Sequence, residues 1–135
     1  MLKLKKMAEH NKIGKIGEEV AVKYLLSKNF LILEKNYNCK VGELDIICKK
    51  EDSLIFVEVK SKKIRNFKEI ENLDFKPEDN MSYMKKIKMK KAIRHYLLIN
   101  KIQEFSICIE VILLIVFLEE NSKKAKIRLY RDVIL

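Results

Sequence analysis

A chain of 135 residues with a formal charge of +10 is long enough to bury one core and too short for two. With 48% apolar and 36% charged residues it has neither a disordered nor a membrane-protein composition, and its charge predicts attraction to a polyanion through salt-sensitive phosphate contacts. Lysine-rich coding in an AT-rich genome gives the same excess, so charge alone does not identify the partner.

Residues 1–13 form a basic segment without the apolar stretch of a secretory signal. From Ile16 to Ser27 apolar residues recur at helical spacing. On a helical wheel Gly17, Val20, Ala21, Tyr24 and Leu25 share one face, with Glu18 at its border and Glu19 pointing away. Three β-prone runs follow, Phe30 to Glu34, Glu43 to Cys48 and Leu54 to Lys60, and an antiparallel meander is the simplest way to join them. The run LIFVEV is apolar at nearly every position, which implies a strand covered by helices on both faces.

Residues 61–82 read as a long loop with a short helix near Phe67 to Leu73. Ser82 can cap a second long helix to Ile99, whose inner face carries Met89, Ala92, Ile93, Tyr96 and Leu97 and, one turn back, meets Lys85 and Lys86. Two final strands are expected, Ser106 to Leu118 and Lys126 to Asp132, the second an edge that alternates Ile127 and Leu129 with Lys126 and Arg128. The run Ile107 to Leu118 is interrupted by Glu110 and too short to span a bilayer. Cys39, Cys48 and Cys108 are irregularly spaced and indicate neither a disulfide framework nor a metal knuckle. A single cytoplasmic domain over 1–135, with reduced thiols and no membrane partner, is expected.

The chemistry concentrates in the second and third strands. Period-two alternation places Glu58 and Lys60 on one face of their strand. In the preceding strand it places Glu43 and Asp45 on one face and Leu44, Ile46 and Cys48 on the other. If the strands pair through Lys49 to Ser53, Asp45 comes near Glu58. Two adjacent carboxylates repel unless a divalent cation holds both ionised, and oxygen ligands favour Mg²⁺ or Mn²⁺ over zinc. Lys60 can then position water or neutralise charge on a phosphate. The plain alternative is an exposed Glu58–Lys60 ion pair contributing roughly 0 to 1 kcal/mol, since an isolated ExK arises often by chance.

The order of a helix-edge carboxylate, GELDII and FVEVKSK resembles the YraN family of uncharacterised predicted endonucleases. That family is a branch of the PD-(D/E)XK superfamily, which includes restriction enzymes and archaeal Holliday-junction resolvases. The segments that carry the resemblance run from Lys15 to Lys63, together with the helix MKKIKMKKAIRHYL. The resemblance implies an α/β, restriction-endonuclease-like core of order α-β-β-β-α-β, a mixed central sheet flanked by helices. It also implies metal ligation by Asp45 and Glu58, a motif lysine at Lys60, and a first-helix carboxylate at Glu18. Three positions depart from the family pattern: Lys85-Lys86 replaces a common Lys-Gln, Cys108-Ile109-Glu110 replaces Arg-Phe-Asp, and Lys62 stands where an arginine often follows the motif. Glu110 keeps an acid and is a candidate supporting residue, against a reading in which it sits at a bend or pairs with a lysine.

Lys62, Lys63 and Arg65 would lay a basic track beside the metal, and Lys85 and Lys86 extend it from the second helix, although a solvated helix face explains most such lysines. Tyr37, Phe67, Phe75 and Tyr83 could stack on bases, with simple packing the more ordinary role. His10 and His95 lack partners at ligand spacing and read as surface histidines. The expectation is a nucleic-acid-binding, Mg²⁺- or Mn²⁺-dependent endonuclease that hydrolyses DNA phosphodiesters, including branched or recombining DNA by analogy. The alternative is a catalytically silent DNA- or RNA-binding module supporting other DNA-processing proteins. Symmetric cutting of two strands would need a homodimer.

Overall fold

The computed structural model describes residues 2–71, 73, 80–122 and 124–135, with side chains from Lys6 onward. Phe75 lies outside the described residues. In chain order the elements are α1 (Leu2–Ser27), β1 (Leu31–Cys39), β2 (Gly42–Lys50), β3 (Ser53–Ile64), α2 (Lys68–Glu71), α3 (Tyr83–Ile99), a 3₁₀ turn at Glu104–Ser106, β4 (Cys108–Glu119) and β5 (Ala125–Tyr130). The strands form one sheet in sequence order. Only β3 and β4 run parallel among adjacent pairs, with α2 and α3 in their crossover. This is the mixed α/β arrangement expected, with the order α-β-β-β-α-β of a restriction-endonuclease-like core and β5 added at the edge.

Two apolar layers enclose the sheet. On one face Ala21 and Leu25 of α1 pack on Ile46, Cys48, Ile55, Val57 and the even-numbered residues of β4. On the other, Met89, Ala92, Ile93, Tyr96 and Leu97 of α3 pack on Leu44, Ile47, Leu54, Phe56 and the odd-numbered residues of β4. The central strands are therefore apolar on both sides because each side carries a helix. Tyr96 anchors its layer through edge-on contacts with Tyr37 and Phe56, at centroid distances of 5.4 and 5.8 Å. Ser82 caps α3, its hydroxyl accepting the Lys85 N–H at 3.1 Å.

Several boundaries lie beyond the sequence reading. The basic segment 2–13 continues α1, because its Lys, Met, Ala and Glu are strong helix formers and no proline interrupts them. Strand β3 runs to Ile64, so residues 61–64 are strand rather than loop; their polar sequence is held by parallel pairing with β4 up to Ile64 opposite Glu119. Strand β1 continues through exposed polar residues to Cys39 on its ladder with β2.

The face assignment of β2 also needs correction. Leu44 buries against α3, whereas Ile46 and Cys48 bury against α1. The partner strand turns over at the same level: Lys35 opposite Ile46 lines a cavity with α1, whereas Tyr37, two residues on and opposite Leu44, packs toward α3. Between them stands Asn36, with a left-handed φ of 53° that asparagine tolerates better than most residues. Alternation thus breaks at Asp45, and a simple period-two count cannot follow the strand across it.

Candidate active site

The site lies where β2 and β3 separate. Their ladder is continuous from Lys50 opposite Ser53 to Ile46 opposite Val57, and stops there. One step further, the Val59 N–H donates to the Asp45 carboxylate Oδ2 at 2.8 Å, so a side chain satisfies an amide that the parted strand leaves behind. Asp45 is consequently held at the fork.

Glu58 sits beside it and is buried, at 8% exposure. Its carboxyl lies within hydrogen-bonding reach of Asp45, and its Oε1 is 3.4 Å from the Lys85 ammonium. Its Oε2 is buried, and among the described residues no donor faces it. Burial first, and the Asp45 charge second, push the Glu58 carboxyl up to about 8, opposed by Lys85. In the absence of another cation, a proton on Glu58 is what relieves this pair. Glu18, half-buried on α1, is raised as well, by burial and then by the charges of Asp45 and Glu43.

These groups line one cavity of about 530 Å³. Helix α1 supplies His10, Ile13, Gly14 and Glu18; the strands supply Asp45, Glu58, Val59, Lys60 and Ser61; the start of α3 and the segment before it supply Asn80, Ser82 and Lys85. Close approach of α1 to β3 makes this possible. A Cβ on Gly17 would come within 2.8 Å of Ser61 Cβ, so glycine at this position lets the helix lie directly on the strand and bring Glu18 to the fork.

The structure therefore brings together Glu18, Asp45, Glu58, Lys60 and Lys85. It leaves Lys62, Lys63, Arg65 and Lys86 outside the cavity lining. Lys63 projects to an ion pair with Glu120 at 3.9 Å, and the Arg65 backbone N–H is bound by Glu69. Glu110 is not a neighbour of the site: it forms a forked pair with Arg131, with N–O distances from 2.7 to 3.3 Å. His95 is half-buried and paired through Nδ1 to the Tyr37 hydroxyl at 2.6 Å, rather than being a plain surface histidine. His10 is exposed, as expected, yet it borders the cavity. Tyr37 and Phe67 pack against the α3-side core, whereas Tyr83 is exposed beside the cavity residue Ser82. Ser61, Asn80 and Ser82 were not legible as cavity residues, because all three fall in the stretch 61–82, whose sequence has no clear periodicity.

The donor set suits a hard cation. Asp45 and Glu58 offer oxygens only, and among the described residues the orphan Oε2 of Glu58 has no positive partner. Among the described residues no three acidic, imidazole or thiol groups close into a ready cage, so the direct pair is Asp45 with Glu58 and Glu18 stands further off. Lys60 and Lys85 give the same cavity two ammonium groups, a combination that can receive a phosphate beside a cation.

Among the described residues no helix is long and apolar enough to cross a membrane. The sequence profile of the uncharacterised protein family UPF0102 matches residues 17–127, a span that contains all five charged residues gathered at the fork. A UPF0102 protein of Clostridioides difficile strain 630 is 44% identical over 100 residues, covering 73% of this chain and 81% of that protein. One from Clostridium tetani is 38% identical over 127 residues, covering 93% and 97%. One from Christiangramia forsetii is 36% identical over 126 residues, covering 93% and 96%. With the site's residues inside the matched span and near full-length similarity to several relatives, this chain belongs to the uncharacterised protein family UPF0102.

Proposed function

We propose that this chain is a divalent-cation-dependent nuclease of the PD-(D/E)XK superfamily that hydrolyses DNA phosphodiesters in the cytoplasm. The observation that carries the reading is the Asp45–Glu58 pair: two carboxylates in contact, one with a buried orphan oxygen, in a cavity shared with Lys60 and Lys85. Structural ion pairs do not need an unsatisfied carboxylate oxygen, and a net charge of +10 favours a polyanionic substrate.

Asp45 and Glu58, with Glu18 in electrostatic reach, would hold Mg²⁺ or Mn²⁺, which polarises a phosphoryl oxygen and lowers the pKa of an attacking water. Lys60, exposed at the rim, draws the phosphodiester in and stabilises charge that develops on it. Asp45 is fixed by the Val59 amide, so the site does not rely on a mobile side chain for its first carboxylate.

The test incubates purified protein with labelled plain duplex, flayed and four-way-junction DNA, and with single-stranded RNA, in Mg²⁺, Mn²⁺ or EDTA. Cation-dependent cutting of DNA that Glu58→Ala and Lys60→Ala abolish is the expected result. Tight DNA binding with no cutting on any substrate refutes the enzyme and leaves a binding module. Cutting confined to RNA moves the substrate.

A further inference from the structure

We propose that Lys85 is a placeholder cation: in the metal-free protein its ammonium sits at Glu58 Oε1 against the negative Asp45–Glu58 pair, and arrival of the divalent ion releases it to grip the substrate phosphate. The proposal rests on the metal-site reading above and adds a positioning role that links the ion to the substrate.

Three observations carry it. Lys85 Nζ lies 3.4 Å from Glu58 Oε1, on a carboxylate whose side chain is only 11% exposed, so the pair is formed in a poorly solvated place where charge interactions are strong. Among the described residues the other Glu58 oxygen, Oε2, has no hydrogen-bond donor facing it, and Asp45 is in reach of the carboxyl. The two cations thus have separate places on one carboxylate. Lys85 also lines the same cavity as Lys60, and its own side chain is 37% exposed, so it has room to turn toward a phosphate without leaving the site.

The consequence is electrostatic. A divalent ion on Asp45 and Glu58 cancels the charge that holds Lys85 and repels the ammonium. Lys85 and the ion compete when no substrate is present. Once a phosphodiester supplies new negative charge, the freed ammonium and the ion both bind it, and each strengthens the other. Substrate and metal affinities are then coupled, and by linkage the coupling is reciprocal.

The probe is Mn²⁺ alone, titrated calorimetrically into full-length protein at about pH 9, where protons compete least for Glu58. The expected result is that Lys85→Met binds Mn²⁺ at least about fivefold more tightly than wild type, while Lys85→Arg and Lys88→Met do not. A merely structural lysine would give the opposite sign, because losing it would loosen the site and weaken the ion. A second titration follows a fluorescent 20-nucleotide DNA with and without Ca²⁺. Wild type should gain about tenfold or more in affinity from the ion, and Lys85→Met at least about threefold less than wild type, the remainder being the ion's own contact. Wild type that binds Mn²⁺ with Lys85→Met no tighter overturns the placeholder role and leaves the metal site standing. No Mn²⁺ binding by either protein overturns both.

Discussion

The raised Glu58 carboxyl makes a quantitative demand on stability. In the unfolded chain this group has its ordinary value of 4.5, and in the folded protein it is pushed up to about 8. Between those values the folded state keeps a proton that the unfolded state has released. The contribution is fully present below about pH 4.5 and is lost as pH rises toward 8, at about 1.4 kcal/mol per pH unit, or about 3 kcal/mol from pH 5 to 7. Replacing Glu58 by Gln removes the titrating proton and keeps the shape. Urea unfolding of both proteins in EDTA, at several pH values from 5 to 8, measures the effect. Other titrating groups, including Glu18, largely cancel in the difference between the two proteins. Wild type should lose stability relative to Glu58→Gln by about 3 kcal/mol between pH 5 and 7. Parallel curves would refute the reasoning, since they would mean that Glu58 ionises in the fold as easily as in water. Saturating Mg²⁺ should flatten the wild-type slope, and cation binding near pH 7 should release close to one proton, read from titrations in buffers of different ionisation enthalpy.

The helix glycines give a contrasted pair: a Cβ on Gly14 meets nothing within 4 Å among the described residues beyond its own helix, and Gly14→Ala should raise stability by up to about 1 kcal/mol, as a helix interior gains on losing glycine. Gly17→Ala drives its methyl into Ser61 and should cost about 1 to 3 kcal/mol of overpacking against that gain, with a measurable loss of metal affinity as Glu18 is pushed from the fork. Glu110→Gln should leave Mn²⁺ affinity unchanged and alter stability modestly, since its partner Arg131 is half exposed; an affinity change above about twofold would return Glu110 to the site. Thiol titration in native buffer should label exposed Cys108 first. Cys48 should stay unreactive until unfolding, because burial pushes its thiol up to about 12.

Much of this was readable in the chain because most elements obey one period. The inner face of α3 is right residue for residue, Met89 to Leu97, since a capped helix of seventeen residues leaves little freedom of phase. Glu58 and Lys60 share a face, and Glu18 rather than Glu19 turns toward the strands, for the same reason. Period two also separates Lys63 from Lys60 and Lys62, so a continuous basic track from Lys60 to Arg65 was already at odds with the strand now seen to reach Ile64. What period could not supply is tertiary. The polar end of β1 is held by its ladder with β2 and by Tyr37 reaching α3, and the helical run before Ile16 has no apolar stripe that sequence alone could follow.

Asp45 shows why the least periodic point became the functional one. Expecting it near Glu58 was right, because the strands do pair through Lys49 to Ser53, whereas the unbroken alternation assumed through β2 does not hold. The strands turn over together at Asn36 and Asp45, and this fold-back ends the ladder with β3 one residue before the two carboxylates would have formed an ordinary cross-strand pair. In such a pair, like charges directly opposite are destabilising with nothing gained. At the fork, Asp45 spends one oxygen on the Val59 amide, and the gap admits a cavity reached by α1 and α3. The same break that costs backbone hydrogen bonds opens an arrangement in which two acids and two lysines can meet a ligand from the side. Asp45→Asn, which can still accept from Val59, should therefore preserve the fork and lose cation affinity, whereas Asp45→Ala should lose both; equal unfolding temperatures for the two variants would show that the amide contact does not hold the strands apart.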